Sequence, residues 1–185
     1  MDPRVIRTRE SVLRAAREVL LEEGWEQVTV ARVAEHSGYN RATLYRHWPN
    51  RLDLLKDAIG EAAALSHSVP TGDTRSDLIA EVEAFRVAVT KTGLGHMALA
   101  ISHQAKTDTG FAELNQSMRA AGARVLEQIL GDGRRAGLLS ADLDIDSAVG
   151  LLVGPILYRY LFEPSPPDRV YVEVIVDGFL AANAA

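Results

Sequence analysis

The chain has 185 residues and 47% of them are hydrophobic, so it is long enough to bury the core of one or two small domains. It contains no cysteine, which excludes a disulfide framework and any metal site or nucleophile built on thiolates. The net charge of −5 is unevenly distributed: residues 1–60 carry ten basic and nine acidic side chains, and the remaining residues carry ten and sixteen. The N-terminal third is therefore the part that best tolerates an anionic partner.

The start of the chain predicts a helix rather than a targeting segment. Apolar residues between Arg4 and Glu23 repeat with the period of a helix, and Gly24 follows as a natural stop. The arginines at positions 4, 7 and 9 form a basic arm that either contacts phosphates or stays solvated. Neither a secretory signal nor an apolar run of about 18 residues is visible. We therefore expect a soluble, cytoplasmic protein without a membrane partner.

Residues 28–51 predict two short helices joined by a tight turn and followed at once by a third. Each helix has a side chain that can accept a hydrogen bond from a free amide of its first turn, namely Thr29, Asn40 and Asn50. Ser37-Gly38 ends the first helix. Such closely spaced helix starts are typical of a helix-turn-helix, whose second helix enters the major groove of DNA.

The middle helix, from Asn40 to about Trp48, has a polar outer face. It can bury only Leu44 and Trp48, and its other side chains are hydrogen-bond donors, small residues or an aromatic hydroxyl. These groups suit base edges and phosphates. Two ordinary amphipathic helices with their charges in solvent would show the same pattern, so that alternative stays open at this point. The outer residues are Arg41, Ala42, Thr43, Tyr45, Arg46 and His47.

The stretch TVARVAEHSGYNRATLYRHWPNRLDLL, residues 29–55, resembles the N-terminal domain of the TetR family of bacterial transcriptional regulators. The resemblance implies a helix-turn-helix at about residues 29–48 that binds double-stranded DNA. Arg51 stands where the family usually has lysine, which keeps the charge. Ala42 stands where many members have glycine or proline, and positions 40 and 41 vary, so the operator sequence is not readable. The predicted DNA-binding residues are Thr29, Asn40, Arg41, Ala42, Thr43, Tyr45, Arg46, His47 and Arg51.

The polar run SHSVPTGDTRS, residues 66–76, predicts a domain boundary. We place a helix-turn-helix domain at residues 1–66 and a ligand-binding and dimerisation domain at residues 67–185. On both sides of the boundary the apolar period is helical, which predicts helices at about 51–66, 77–92, 95–106 and 109–130.

The last third of the chain predicts two more helices. The stretch GRRAGLLSADLDIDSAVGLLVGPILYRYLFE, residues 133–163, resembles the penultimate helix of many TetR proteins, with an acidic cap at Asp144 or Asp146. The final segment, 168–182, alternates valines as a strand would, but a lone strand has no partner here and its apolar residues also keep helical spacing. We therefore predict a helix, and an all-α fold of about nine helices.

The resemblance also implies a homodimer, because in that family the last two helices pair with those of a second copy as a four-helix bundle. Function favours a dimer as well, since two symmetry-related recognition helices read a palindrome on one face of DNA. For any single residue, burial in its own chain's core is a comparably good explanation. The predicted interface residues are Leu151, Leu152, Ile156, Arg159, Tyr160, Phe162, Val172, Ile175 and Phe179.

A small-molecule effector bound among the middle helices is the second partner that the resemblance implies. Such a pocket is mostly apolar with few polar anchors. Any helical core has the same composition, so a purely structural role for these residues stays open. The predicted lining residues are Phe85, Val89, His96, Met97, Ile101, Phe111, Leu114, Met118 and Tyr158.

No catalytic site, metal site or cofactor is predicted. No glycine-rich phosphate loop follows a strand, and His96 and His103 lie too far apart on one helix to share a metal. Three functions compete: a ligand-responsive repressor, a DNA-binding protein or activator that needs no ligand, and a helical small-molecule-binding protein or enzyme that does not bind DNA. We predict the first, which requires operator-specific, salt-sensitive binding that a metabolite relieves.

Overall fold

The computed structural model describes residues 3–64, 67–92 and 94–185, without the side chains of residues 3–6, 25 and 61–64. This part of the chain forms nine α-helices, a short 3-10 helix at Trp25–Gln27 and no strand, which confirms the all-α prediction. The predicted end of the fourth helix at residue 66 lies outside the described residues. The helices are α1 (Pro3–Glu23), α2 (Val30–Ser37), α3 (Arg41–His47), α4 (Arg51–Ala64), α5 (Thr74–Lys91), α6 (Leu94–Gln104), α7 (Thr109–Arg135), α8 (Ile145–Phe162) and α9 (Arg169–Asn183).

The chain divides into two compact units. The first unit combines Met1–Leu65 with His96–Met118, and the second combines Ser66–Gly95 with Arg119–Ala185. The division predicted from the sequence had assigned α6 and all of α7 to the C-terminal domain. In the structure α6 from His96 onward and α7 as far as Met118 belong to the same compact unit as the helix-turn-helix. The functional domain bounds stay a prediction.

In the first unit, α1 packs against α2 and α4, and α2 packs against α3. The apolar stripe predicted on α1 forms part of this core. Its members are buried together with apolar side chains of the three following helices. The buried residues are Val12, Leu13, Ala16, Val19, Leu20, Val33, Ala34, Leu44, Trp48, Leu54, Leu55 and Ile59.

The predicted helix starts are confirmed by their capping hydrogen bonds. Thr29 Oγ1 accepts from the Arg32 amide at 3.0 Å, and Asn40 Oδ1 accepts from the Ala42 amide at 2.8 Å. Asn50 Oδ1 likewise accepts from the Asp53 amide at 3.0 Å. These bonds satisfy amides that a helix start leaves without an intrahelical partner, so they fix where α2, α3 and α4 begin.

In the second unit, α5, α8 and α9 pack on one another, and the C-terminal part of α7 contributes to the same core. The valines of α9 show why a strand-like sequence forms a helix. Val172 and Val176 are fully buried, whereas Val170 and Val174 are 66% and 62% exposed. A strand would turn all four to one face, but residues two apart in a helix lie on nearly opposite sides. The prediction of a helix is therefore confirmed.

Two buried carboxylates on α5 hold the segment that leads into this helix. The Asp77 carboxylate accepts from the Thr71 amide, the Thr71 hydroxyl and the Gly72 amide, each at 2.8 Å. One turn later, Glu81 accepts from the amide and hydroxyl of Ser68 and lies 2.6 Å from His67 Nδ1. Burial would raise the pKa of Asp77, but these hydrogen bonds outweigh it and lower that pKa below its usual value.

Among the described residues, one helix, α8, is long and apolar enough to cross a membrane by length and composition, with a mean hydropathy of 1.3 over Ile145–Phe162. The sequence does not predict such a helix, because polar and charged residues interrupt its apolar residues. A single helix of this type is weak evidence for a membrane span, since core helices of other proteins pass the same test.

Candidate nucleic-acid interface

The surface of α3 is divided between a buried and an exposed side. Leu44 is 1% exposed and Trp48, which caps the C-terminal end, is 3% exposed, as the sequence predicts. Thr43 is half-buried. All other side chains of the helix face solvent, and these are Arg41, Ala42, Tyr45, Arg46 and His47. Two buried anchors thus hold a short helix whose outer side offers two guanidinium groups, a phenol, an imidazole and a methyl group.

The helix that precedes α3 is fixed to α1 by polar side chains and one ion pair. Arg32 on α2 donates to both oxygens of Glu23, from Nη2 at 2.6 Å and from Nε at 2.9 Å. His36 Nε2 lies 3.2 Å from Glu18 of α1. The hydrogen bonds between Arg32 and Glu23 raise the pKa of the guanidinium and lower that of the carboxyl, so both stay charged. Arg32 therefore holds α2 against α1.

Arg51, predicted to contact phosphate, is half-buried and has a contact within the first unit. Its guanidinium carbon lies 5.6 Å from the centre of the Phe111 ring, within the range of a cation–π interaction. Beside it, Leu52 packs so closely on Gly110 that a Cβ there would lie 2.5 Å from Leu52 Cδ1. The start of α4 thus contacts the start of α7. This contact was not predicted, because nothing local in the sequence links residues 60 positions apart.

The basic N-terminal arm differs from the expectation in one respect. Arg9 forms an ion pair with Asp57 of α4, with Nη2 2.8 Å from Oδ2. The side chain of Arg7 is exposed, and that of Arg4 lies outside the described residues. Arg9 is therefore part of the packing of the first unit. The nine predicted DNA-binding residues all lie in that unit, at the start of α2, along α3 and at the start of α4.

The predicted ligand-lining residues are divided between the two units. His96, Met97, Ile101, Phe111, Leu114 and Met118 belong to the first unit, and Phe85, Val89 and Tyr158 belong to the second. Five of them are buried, two are half-buried, and His96 is exposed. Tyr158 is 61% exposed and its ring lies 5.2 Å from that of Phe162. Tyr158 therefore belongs to the outer surface of the second unit in the single chain.

The predicted dimer-interface residues differ in exposure. Leu152, Ile156 and Val172 are fully buried and Phe179 is 7% exposed, so these four are part of the core of the second unit. Ile175 packs against the same core. Tyr160 is half-buried against Gly95, and burial raises the pKa of its hydroxyl. Arg159 lies 4.3 Å from the centre of the Tyr171 ring. Leu151 and Phe162 remain exposed, at 60% and 72%.

The single chain leaves apolar side chains of α8 and α9 exposed; Leu151 and Phe162 are among the predicted interface residues, whereas Val170 and Val174 are not. On α8 the exposed residues are Leu151, Tyr158 and Phe162, which recur at helical spacing on one side. On α9 they are Val170 and Val174, one turn apart. We call these five residues the outer apolar face. Their spacing was readable in the sequence, but both sides of α8 are apolar, so the pattern does not distinguish the side that faces the core.

Both the N-terminal and the C-terminal part of the sequence match profiles of known protein families. Residues 12–58 match the profile described as bacterial regulatory proteins, tetR family, and residues 69–179 match the profile described as the tetracyclin repressor-like C-terminal domain. The uncharacterized HTH-type transcriptional regulator YdeS of Bacillus subtilis is 28% identical over 185 residues, covering 98% of this chain and 93% of the relative.

Two further similarities concern the fold and the N-terminal region. The crystal structure of the TetR family transcription regulator SCO0332 has a TM-score of 0.74 and 32% identity, covering 94% of this chain and 97% of the other. The class A tetracycline repressor protein from transposon 1721 of Escherichia coli is 39% identical over 84 residues, covering 43% of this chain and 38% of the relative.

Proposed function

The chain belongs to the TetR family of bacterial transcriptional regulators, which bind DNA, and we propose that it is a repressor that binds a palindromic operator as a homodimer. In this proposal a small molecule releases the protein from the operator. The protein acts in the cytoplasm, where the DNA is, and it has no catalytic role.

The observation that carries the proposal is the outer side of α3. Leu44 and Trp48 anchor the helix, so its exposed side chains are held on a fixed frame. Arg41, in the first turn, is long enough to donate two hydrogen bonds to a guanine, and Ala42 beside it permits close approach to the groove. Tyr45, with 49% of its surface exposed, and His47 suit phosphate oxygens.

The outer apolar face supports the homodimer. A single recognition helix covers only a few base pairs, whereas two symmetric copies read both halves of a palindrome. The three residues on α8 and the two on α9 expose aromatic and aliphatic surface that a second copy would bury, and large exposed apolar surfaces commonly mark interaction sites. The same burial would account for the apolar composition of α8 without a membrane.

Buried apolar side chains of α6 and α7 support an apolar effector. Met97, Ile101, Phe111 and Leu114 are at most 5% exposed, and all four were predicted to line a ligand site. Methionine adapts its shape to irregular neighbours, which suits a site that must be empty in one state and filled in the other. We therefore propose an effector that is largely apolar.

A mobility-shift assay with the DNA upstream of the protein's own gene tests the proposal. We expect tight binding to one palindromic fragment, with much weaker binding at about 200 mM salt than at about 50 mM salt, because phosphate contacts release counterions. Arg41→Ala should reduce affinity about ten- to a hundredfold, the effect of losing a bidentate base contact. Arg124→Ala, which removes an exposed arginine from α7 in the second unit, is the charge-matched control and should bind as the wild type does.

The alternative functions give different results in the same assay. A ligand-independent DNA-binding protein or activator would bind without release by any apolar metabolite. A protein that has lost DNA binding would leave every fragment unshifted at low salt. Equal losses in Arg41→Ala and Arg124→Ala would show that α3 does not read the operator.

A further inference from the structure

Three helices of the first unit meet at one carboxylate oxygen beside the C-terminal end of α3. Trp48 Nε1–H donates to Asp57 Oδ2 of α4 at 2.8 Å, and Arg9 Nη2 of α1 lies 2.8 Å from the same oxygen. The guanidinium carbon of Arg9 is 6.0 Å from the centre of the Trp48 ring. Asp57 thus connects α1 and α4 to the residue that ends the recognition helix.

Both the backbone and the side chain of Trp48 are held in place at the C-terminal end of α3. Its backbone amide donates to the Leu44 carbonyl at 2.8 Å and closes the last turn of α3, while its side chain is 3% exposed. A buried indole has one polar group, and leaving its N–H without an acceptor is costly, so the position of the acceptor selects the orientation of the ring. In this chain that acceptor is Asp57.

The orientation of Trp48 bears on groups proposed to contact DNA. The His47 ring lies 5.8 Å from the Trp48 ring, centre to centre, with the planes inclined by 54°. His47 and Arg46 are the last two residues of α3 and both face solvent. A different rotamer of Trp48 would remove the support of His47 and change the last turn from which both side chains project.

We propose that Asp57 is a positioning residue for operator binding: by accepting from Trp48 it fixes the C-terminal end of α3, and with it Arg46 and His47, in the orientation that DNA requires. This proposal rests on the proposed function of α3. Asp57 acts through Trp48 and does not touch DNA itself.

The direction in which a substitution of Asp57 changes the affinity for DNA distinguishes the positioning role from a purely electrostatic effect. The Asp57 side chain is 33% exposed, and a negative charge near a DNA-binding surface repels phosphates. Removing that charge, and releasing Arg9 from its ion pair, should by electrostatics alone strengthen DNA binding. A positioning role predicts the opposite, because the indole loses its acceptor.

Operator affinity of four variants tests the proposal at a temperature well below unfolding. We expect Asp57→Ala and Trp48→Phe each to weaken binding about tenfold, the effect of one hydrogen bond. Asp57→Asn keeps an oxygen that can accept from the indole and should retain most of the affinity. Asp53→Ala removes the same charge from the same helix one turn earlier, where the carboxylate contacts the Asn50 side chain, and should bind as tightly as the wild type or more tightly.

A spectroscopic signal reports on the contact without DNA. The chain has two tryptophans, so a heteronuclear NMR spectrum contains two indole N–H signals, and the one that Trp48→Phe removes belongs to Trp48. We expect this proton to exchange with solvent faster in Asp57→Ala than in the wild type or Asp57→Asn. Circular dichroism identifies any variant that fails to fold. If Asp57→Ala fails to fold, Asp57→Asn still tests whether an acceptor oxygen at this position maintains operator binding.

The double variant Trp48→Phe/Asp57→Ala completes the test. If both residues act through one hydrogen bond, it should bind no more weakly than either single variant. Additive losses, or an Asp57→Ala protein that binds as tightly as the wild type, would overturn the positioning role while leaving the proposed function intact. A wild-type protein that binds no operator would instead overturn the proposed function.

Discussion

Gly38, which ends α2 and opens the turn before the recognition helix, has a backbone conformation that other residues rarely adopt. Its φ is 74°, in the left-handed region, and a Cβ at this position would meet no atom within 4 Å. Gly38→Ala therefore carries a purely conformational cost. We expect the free energy of unfolding, measured by urea denaturation, to fall by about 1 kcal/mol.

Gly60 provides the matched control for this prediction. It lies inside α4, is exposed, and also has open space where a Cβ would be placed, but its conformation is helical. Gly60→Ala should raise the free energy of unfolding by about 0.5 to 1 kcal/mol, because alanine restricts the unfolded chain and favours the helix. Two changes of the same sign would contradict the conformational explanation.

The residues whose contacts could be predicted from the sequence are those with hydrogen-bond partners a few positions away along the chain. Thr29 and Asn40 accept hydrogen bonds from amides two or three positions ahead, so the cap and the helix start are readable together. From the sequence, Arg9 lies in a basic arm that either contacts phosphates or stays solvated, and Arg51 is predicted to contact phosphate. Their contacts with Asp57 and Phe111 lie 48 and 60 positions away along the chain, and only the fold brings these residues together.

For whole helices, too, local features could be predicted from the sequence and contacts between distant parts of the chain could not. Periodicity predicts α1 and the helices from α4 to α7, helix caps predict α2 and α3, and the family resemblance predicts α8. The helix α9 is predicted despite its β-branched composition, because its apolar residues keep helical spacing. The periodicity of apolar residues shows that a helix has an apolar side, but it does not show which element packs against that side. In α8, apolar residues occur on both sides, so the sequence predicts Leu152 and Ile156 at an interface, whereas in the single chain they are buried in the core of the second unit.

The start of α5 permits a prediction on pH. In the folded state the pKa of Asp77 is lowered, so its contribution to stability is complete above the unfolded-state pKa of about 3.9 and is lost as the pH falls through the lower folded-state pKa. Asp77→Asn should lower the free energy of unfolding by about 1 to 3 kcal/mol at pH 7, since a buried charged acceptor of three hydrogen bonds is replaced.

Urea denaturation at pH 7 and at about pH 3 measures this effect. The difference between the wild type and Asp77→Asn should narrow in acid, because the carboxyl of the unfolded wild-type chain, with a pKa of about 3.9, then takes up a proton. Asp142→Asn changes an exposed aspartate before α8 and should leave the unfolding curve unchanged at both pH values. A difference between the wild type and Asp77→Asn that stays constant with pH would show that charge is not the source of the stabilisation.

At the scale of the whole molecule, the proposed DNA-binding side chains and the outer apolar face belong to different units. The former lie in the first unit, and the latter belongs to α8 and α9 of the second unit. A substitution on the outer apolar face removes no proposed DNA contact, so a variant that keeps its fold but loses DNA binding would point to a loss of assembly. Dimerisation and DNA contact are thus separable by experiment.

Phe162→Glu is the substitution that tests assembly. Phe162 is 72% exposed in the single chain, so the change should leave the fold intact by circular dichroism while placing a charge on the proposed interface. We expect light scattering to show a monomer and operator affinity to fall about a hundredfold or more, because each copy then binds only one half-site. Val69→Glu alters an 85% exposed residue outside α8 and α9 and should remain a dimer with wild-type affinity. If Phe162→Glu stays dimeric and binds as the wild type does, the two copies meet through another surface.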